Sequence, residues 1–186
     1  MIKRYLILIL SALMTTWAYS ITPEQIAIQL QQQKSLEGSF FQQRYLRGLE
    51  KPIESCGKYL IETIKETKEK QLIWQVEQPF KVNLKITSEG IFQEKNQKWQ
   101  KTSSNNARQM QLFLDLLSGD WHVLEKAFEL TANGDSKQWT LVLTPKTTTL
   151  KKIFHSITLK GNQYLTHIEL EEAQGDKSTI EFSPVL

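Results

Sequence analysis

Short strand-like runs follow one another after residue 38, and in two of them apolar and polar positions alternate cleanly with a period of two. In the two clearest segments the apolar residues that share one face are Leu72, Trp74 and Val76, followed by Val82, Leu84 and Ile86. Turn signals such as KPIESCG, TSEG and NGD separate such segments along the chain. The pattern predicts about eleven antiparallel strands with one face towards water and the other towards a core.

A helix is predicted before the first strand. Thr22, Pro23 and Gln25 have the spacing of a capping box with proline at the first helical position. We expect this helix to continue to about Leu36 and to end at Gly38.

A second helical pattern, about Asn105 to Leu117, interrupts the strands, and residues 121–128 predict a further short helix. At about 100° per residue, one face of the pattern carries Met110, Phe113, Leu114 and Leu117. Leu112 and Leu116 widen the apolar arc to roughly 200°, about twice what a helix on one core needs. Two interpretations stay open: the second flank faces an interior space, or it completes an ordinary two-sided core.

These elements predict one α+β domain. A single large antiparallel sheet of about eleven strands is expected to curve, because long twisted sheets curl. Its concave face must then be filled by side chains or by another molecule. The helical segments are expected to plug that face.

Residues 1–20 have the features of a cleaved signal peptide, with Lys3 and Arg4 before a short apolar run and small residues near the predicted cut. Removing them leaves residues 21–186 as one domain and lowers the formal net charge from +3 to +1. This near-neutral charge argues against a nucleic-acid partner. We expect a secreted protein.

The polar residues predict no catalytic site, metal site or cofactor. His122, His155 and His167 have no metal-ligand spacing, and no GxSxG elbow is present. Cys56 is the single cysteine, so an intramolecular disulfide is impossible. We therefore do not expect an enzyme.

The ordered set of motifs resembles the LolA-type outer-membrane lipoprotein carriers, in particular their LolA-related branch. The matching pieces include GSFFQQRYLRGLEKPIESCGKYL, LIWQVEQPFKVNLKITSEG, LDLLSGDW, WTLVLTPK and IFHSITLKGNQYLTHIELEEAQGDKSTIEF. The resemblance implies an incomplete β-barrel closed by helices around a hydrophobic cavity for acyl chains. It also implies an inner-membrane exporter as donor and an outer-membrane acceptor. A periplasmic location is implied with them, and soluble shuttling between the two membranes favours a monomer.

The resemblance also implies a set of cavity residues. They are Leu72, Trp74, Val76, Val82, Leu84 and Ile86 on the strands, and Met110, Phe113, Leu114 and Leu117 on the lid helix. The carriers have an arginine–proline pair that latches the lid, whereas this chain offers Lys68 and no proline. Lysine lacks the planar guanidinium group with which arginine donates five hydrogen bonds. A cargo other than lipoproteins, such as another acyl lipid, therefore remains an alternative.

Three functions are compatible with these observations. The first is a carrier of lipoproteins or related acylated cargo, which requires a cavity. The second is a sensor or adaptor of the same fold that binds a protein partner without transporting lipid. The third is a hydrolase of hydrophobic esters, which requires a nucleophile beside a base.

Overall fold

One antiparallel sheet of eleven strands forms the fold. The computed structural model describes residues 20–32, 35–67, 69–102, 112, 114–116 and 121–185. The strands are β1 Ser35–Tyr45, β2 Ile53–Thr63, β3 Lys70–Gln78, β4 Val82–Thr87, β5 Gly90–Lys95, β6 Lys98–Lys101, β7 Phe128–Gly134, β8 Trp139–Pro145, β9 Phe154–Gly161, β10 Leu165–Glu172 and β11 Lys177–Pro184. The predicted strand number and α+β class are confirmed.

The sheet is open, with β6 and β7 at its two edges. The spatial order is β6-β5-β4-β3-β2-β1-β11-β10-β9-β8-β7, so the first and last strands of the chain meet at the centre. The chain between the two edge strands holds the predicted helical interruption. Within it residues 112 and 114–116 are helical, and the short helix α2 follows at His122–Ala127, as predicted.

The sheet curls around one core. Eleven flat strands would span about 50 Å at the usual strand spacing. Buried side chains from strands near both edges nevertheless belong to a single hydrophobic cluster, together with Leu114 and Leu116 of the helical interruption. We call the side of the sheet that carries this cluster the inner face.

The first helix, α1, is shorter than predicted. It covers Pro23–Gln31, and both hydrogen bonds of the Thr22 capping box are present. The prediction that it continues to about Leu36 is wrong, because β1 already begins at Ser35. Gly38 lies within β1, where a Cβ atom would be 2.3 Å from the carbonyl oxygen of Ser183 in β11. The glycine therefore permits close strand packing and does not end the helix.

One short helix was not predicted. This helix, α3, covers Thr148–Lys151 between β8 and β9, and the Thr147 side chain caps it. In the part of the chain that the structure describes, no helix has the length and apolar character needed to span a membrane.

Candidate functional site

The six strand residues predicted for the cavity lie together on the inner face. The register of β3 and β4 pairs them directly as Leu72 with Ile86, Trp74 with Leu84, and Val76 with Val82. Leu72, Trp74 and Ile86 are buried, while Val76, Val82 and Leu84 are half-buried. We call these six side chains the β3–β4 row. The row is buried at its Leu72–Ile86 end and more accessible at its Val76–Val82 end.

The helical interruption contributes to the same core. Leu114 is 4 % exposed and Leu116 is fully buried, whereas Leu112 is half-buried and packs against the cluster. The other predicted residues of the lid, Met110, Phe113 and Leu117, lie outside the described residues, and so does the predicted latch residue Lys68.

Four aromatic side chains form the centre of the inner face. Phe40 stacks on Trp74, with 3.7 Å between ring centroids and 23° between ring planes. Phe182 meets Tyr59 edge to face at 5.2 Å and Trp74 at 6.2 Å. Only Trp74 was predicted as a site residue. The others were missed because consecutive aromatics such as Phe40 and Phe41 do not reveal which one faces inwards.

The aromatic cluster contains an unpaired hydroxyl group. Tyr59 is 2 % exposed, and its hydroxyl has no hydrogen-bond partner in the described structure. Burial raises the pKa of Tyr59 to about 12, because a low-dielectric interior disfavours the phenolate. The Nε1 atom of Trp121 is likewise buried without a partner in that part of the molecule. Among the described residues, the surroundings of these two groups therefore lack hydrogen-bond acceptors.

The apolar surface continues onto the second half of the sheet. Leu141 and Leu143 of β8 and Ile157 and Leu159 of β9 are all fully buried. Their strands pair as Leu141 with Leu159 and Leu143 with Ile157. These residues were not predicted as site residues, and their complete burial identifies them as core.

Comparison with known proteins identifies the family. Residues 16–182 match the family described as "Outer membrane lipoprotein carrier protein LolA-like". The chain belongs to this LolA-like family. A search of curated protein sequences gives no match.

Structures of MucB share the fold of this chain at low sequence identity. MucB gives a TM-score of 0.53 at 11% identity, with 86% of this chain and 55% of MucB covered. The Pseudomonas aeruginosa MucA/MucB complex gives 0.51 at 14% identity, covering 86% and 53%. A LolA superfamily protein from Nitrosomonas europaea gives 0.43 at 10% identity, covering 88% and 92%. The chain spans about half the length of MucB.

His155 and His167 of this LolA-like chain lie away from the inner face. His155 is exposed and lines a surface cleft of about 390 Å³ with acidic side chains that include Glu171 and Asp176. His167 lies next to Glu169, at 3.9 Å, on the opposite face of β10 from buried Ile168. Among the described residues, no three His, Cys, Asp or Glu side chains come together as a metal site.

Proposed function

We propose that this LolA-like protein is a periplasmic carrier of acylated cargo. It holds the acyl chains of lipoproteins or related lipids between the inner face and the helical interruption. It receives them from an inner-membrane exporter and delivers them to an outer-membrane acceptor. Family membership and the signal-peptide pattern of residues 1–20 support this proposal.

The main structural support for acyl binding is the accessible end of the β3–β4 row. Val76, Val82 and Leu84 are only half-buried, although they lie on the same face as fully buried Leu72 and Ile86. Apolar side chains that face the interior and keep accessible surface are suited to contact a guest chain. In the proposal, Met110, Phe113, Leu114 and Leu117 cover that chain from the helical side, and Lys68 holds the lid in place.

The energetics of acyl binding define how such a carrier must work. Each buried CH₂ group contributes about 0.8 kcal/mol, so one long acyl chain gains on the order of 10 kcal/mol. Release therefore needs a better acceptor or movement of the lid. The sequence contains no nucleotide-binding motif, and we propose that partner proteins supply the driving force.

A pair of valine substitutions tests the acyl site. Val76→Thr combined with Val82→Thr places hydroxyl groups where the proposal puts the acyl chain. A hydroxyl buried against an acyl chain without a hydrogen-bond partner makes the binding free energy less favourable by about 1–3 kcal/mol. The double variant should therefore bind a fluorescent fatty acid at least about tenfold more weakly than the wild type.

Val142→Thr is the matched control. Val142 is also half-buried, but it points away from the inner face, between Thr131 and Thr158 on the neighbouring strands. The control should keep wild-type affinity and thermal stability. A wild type that binds no fatty acid, or equal affinities for the double variant and the control, would contradict the acyl site.

A second candidate is an adaptor that binds a protein partner. The observation that favours it is the likeness to MucB, whose structure has been solved in complex with MucA. An adaptor of this kind would bind no acyl ligand and would keep its partner affinity after Val76→Thr and Val82→Thr. The fatty-acid titration therefore separates the two candidates.

A further inference from the structure

One end of the sheet carries exposed apolar side chains next to basic loops. Because neighbouring strands are antiparallel, this end contains the β1–β2, β3–β4, β5–β6, β8–β9 and β10–β11 connections. We call it the basic rim. Four large apolar side chains are exposed here: Tyr45 at 42%, Leu49 at 55%, Ile53 at 48% and Phe80 at 77%.

Local structure presents two of these side chains on neighbouring loops. Gly48 has a φ of 90°, and the turn around it is closed by a hydrogen bond from the Leu49 amide to the Leu46 carbonyl, at 3.0 Å. The Arg47 amide donates to Asp176 Oδ1 at 2.9 Å, which ties this turn to the β10–β11 connection. Because β2 lies between β1 and β3, the loop with Phe80 is adjacent to the turn with Leu49.

The charge of the basic rim differs from that of the opposite end. Its connecting segments contain six basic residues and two acidic ones: Arg47, Lys51, Lys81, Lys146, Lys151 and Lys152 against Glu50 and Asp176. The described residues in the connections at the opposite end include two basic and four acidic residues: Lys65 and Lys137 against Glu66, Glu69, Glu89 and Asp135.

The lysines of the basic rim are not neutralised by acidic neighbours. Within the described part of the chain, no carboxylate lies within 4.0 Å of the Nζ atoms of Lys51, Lys81, Lys151 or Lys152. Asp176, by contrast, lies 4.0 Å from the Arg44 guanidinium, which offsets part of the acidic charge of this end.

We propose that the basic rim docks the protein on the surface of an anionic phospholipid bilayer. Leu49 and Phe80 enter the boundary between headgroups and acyl chains, while Lys51 and Lys81 contact the headgroup phosphates. Exposed apolar side chains surrounded by basic residues suit such a surface, since the apolar groups leave water and the cations meet negative charge. The docking contacts come from side chains of the connections, whereas the proposed acyl site uses side chains of the neighbouring inner face.

Vesicle co-sedimentation tests the docking surface. The protein without the predicted signal peptide, residues 21–186, is mixed with vesicles of phosphatidylcholine, with or without phosphatidylglycerol. The wild type should bind the phosphatidylglycerol vesicles more tightly, and added salt should weaken the binding. Lys51→Gln with Lys81→Gln should reduce binding about fivefold per lysine. Leu49→Ser with Phe80→Ser should reduce it about tenfold or more.

Matched controls come from the rest of the surface. Ile28 is 55% exposed, as Leu49 is, but lies on α1, and Lys65 and Lys137 lie at the opposite end of the sheet. Ile28→Ser, and Lys65→Gln with Lys137→Gln, should keep wild-type vesicle binding. Loss of binding in these controls equal to that in the rim variants would overturn the proposal. So would a wild type that binds neither vesicle.

The acyl-site variant distinguishes docking from lipid uptake. Val76→Thr with Val82→Thr should retain vesicle binding, because these side chains face the inner side of the sheet and the proposed docking contacts come from Leu49, Lys51, Phe80 and Lys81. Vesicle binding that this variant loses and the rim variants keep would overturn the docking surface and leave the acyl site standing. A wild type that binds no fatty acid but binds vesicles through the rim would contradict the acyl site and leave the docking surface standing.

Discussion

Replacing Tyr59 by phenylalanine should stabilise the protein. Tyr59 is 2 % exposed, its ring packs edge to face on Phe182, and its hydroxyl has no partner among the described residues. A buried polar group without a hydrogen bond costs about 1–3 kcal/mol. Tyr59→Phe removes that group and keeps the ring, so the free energy of unfolding should rise by about 1 kcal/mol or more. For a chain of this size, each kcal/mol raises Tm by about 2–4 °C.

The effect of pH adds a second readout at the same residue. Burial raises the pKa of Tyr59 to about 12 from the ordinary value of 10.0. The folded protein therefore holds this proton more tightly than the unfolded chain, and stability falls as pH rises from about 10 towards 12. The phenylalanine variant lacks this contribution, so its advantage over the wild type should widen across that interval.

Urea unfolding followed by circular dichroism measures both effects. Tyr45→Phe is the control, because the Tyr45 hydroxyl is exposed on the sheet and donates to Gln43 Oε1 at 3.0 Å. That variant should change stability little. A Tyr59→Phe protein less stable than the wild type by 1 kcal/mol or more would refute the reasoning, since it would show that the hydroxyl is paired.

Two further predictions concern the sheet and its turns. Gly57→Ala should cost about 2 kcal/mol or more in urea unfolding, because the new Cβ would lie 1.8 Å from the Gln75 carbonyl oxygen; an unchanged midpoint would refute this close approach. Asp135→Ala should destabilise at pH 7, since Asp135 Oδ1 accepts hydrogen bonds from the Lys137 and Gln138 amides, which lower the pKa of the carboxyl. The difference from wild type should shrink as pH falls below the ordinary value of 3.8 and the carboxyl is protonated; a difference undiminished at low pH would contradict it.

The part of the site on β3 and β4 was predictable from the sequence. Alternation there is regular, so a period of two places Leu72, Trp74 and Val76 on one face. The register then pairs them with three residues of β4 that were also predicted. Short-range patterns succeed here because both strands belong to one hairpin.

The centre of the inner face was not predictable in the same way. Phe40 is buried and Phe41 is 39% exposed, although the two residues are identical and adjacent. The direction of each is determined by pairing with β11, which lies more than 130 residues away along the chain. Gly38 illustrates the same difficulty, because a helix stop and a close strand contact favour the same residue.

Native mass spectrometry of the protein, isolated from periplasm without detergent and followed by lipid extraction, tests the carrier function most directly. The account predicts an added mass that is identified as an acyl lipid or lipoprotein. That mass should be lost in the folded Val76→Thr, Val82→Thr double variant and retained in Val142→Thr. A ligand-free mass that stays unchanged when acyl lipids are added would contradict the account.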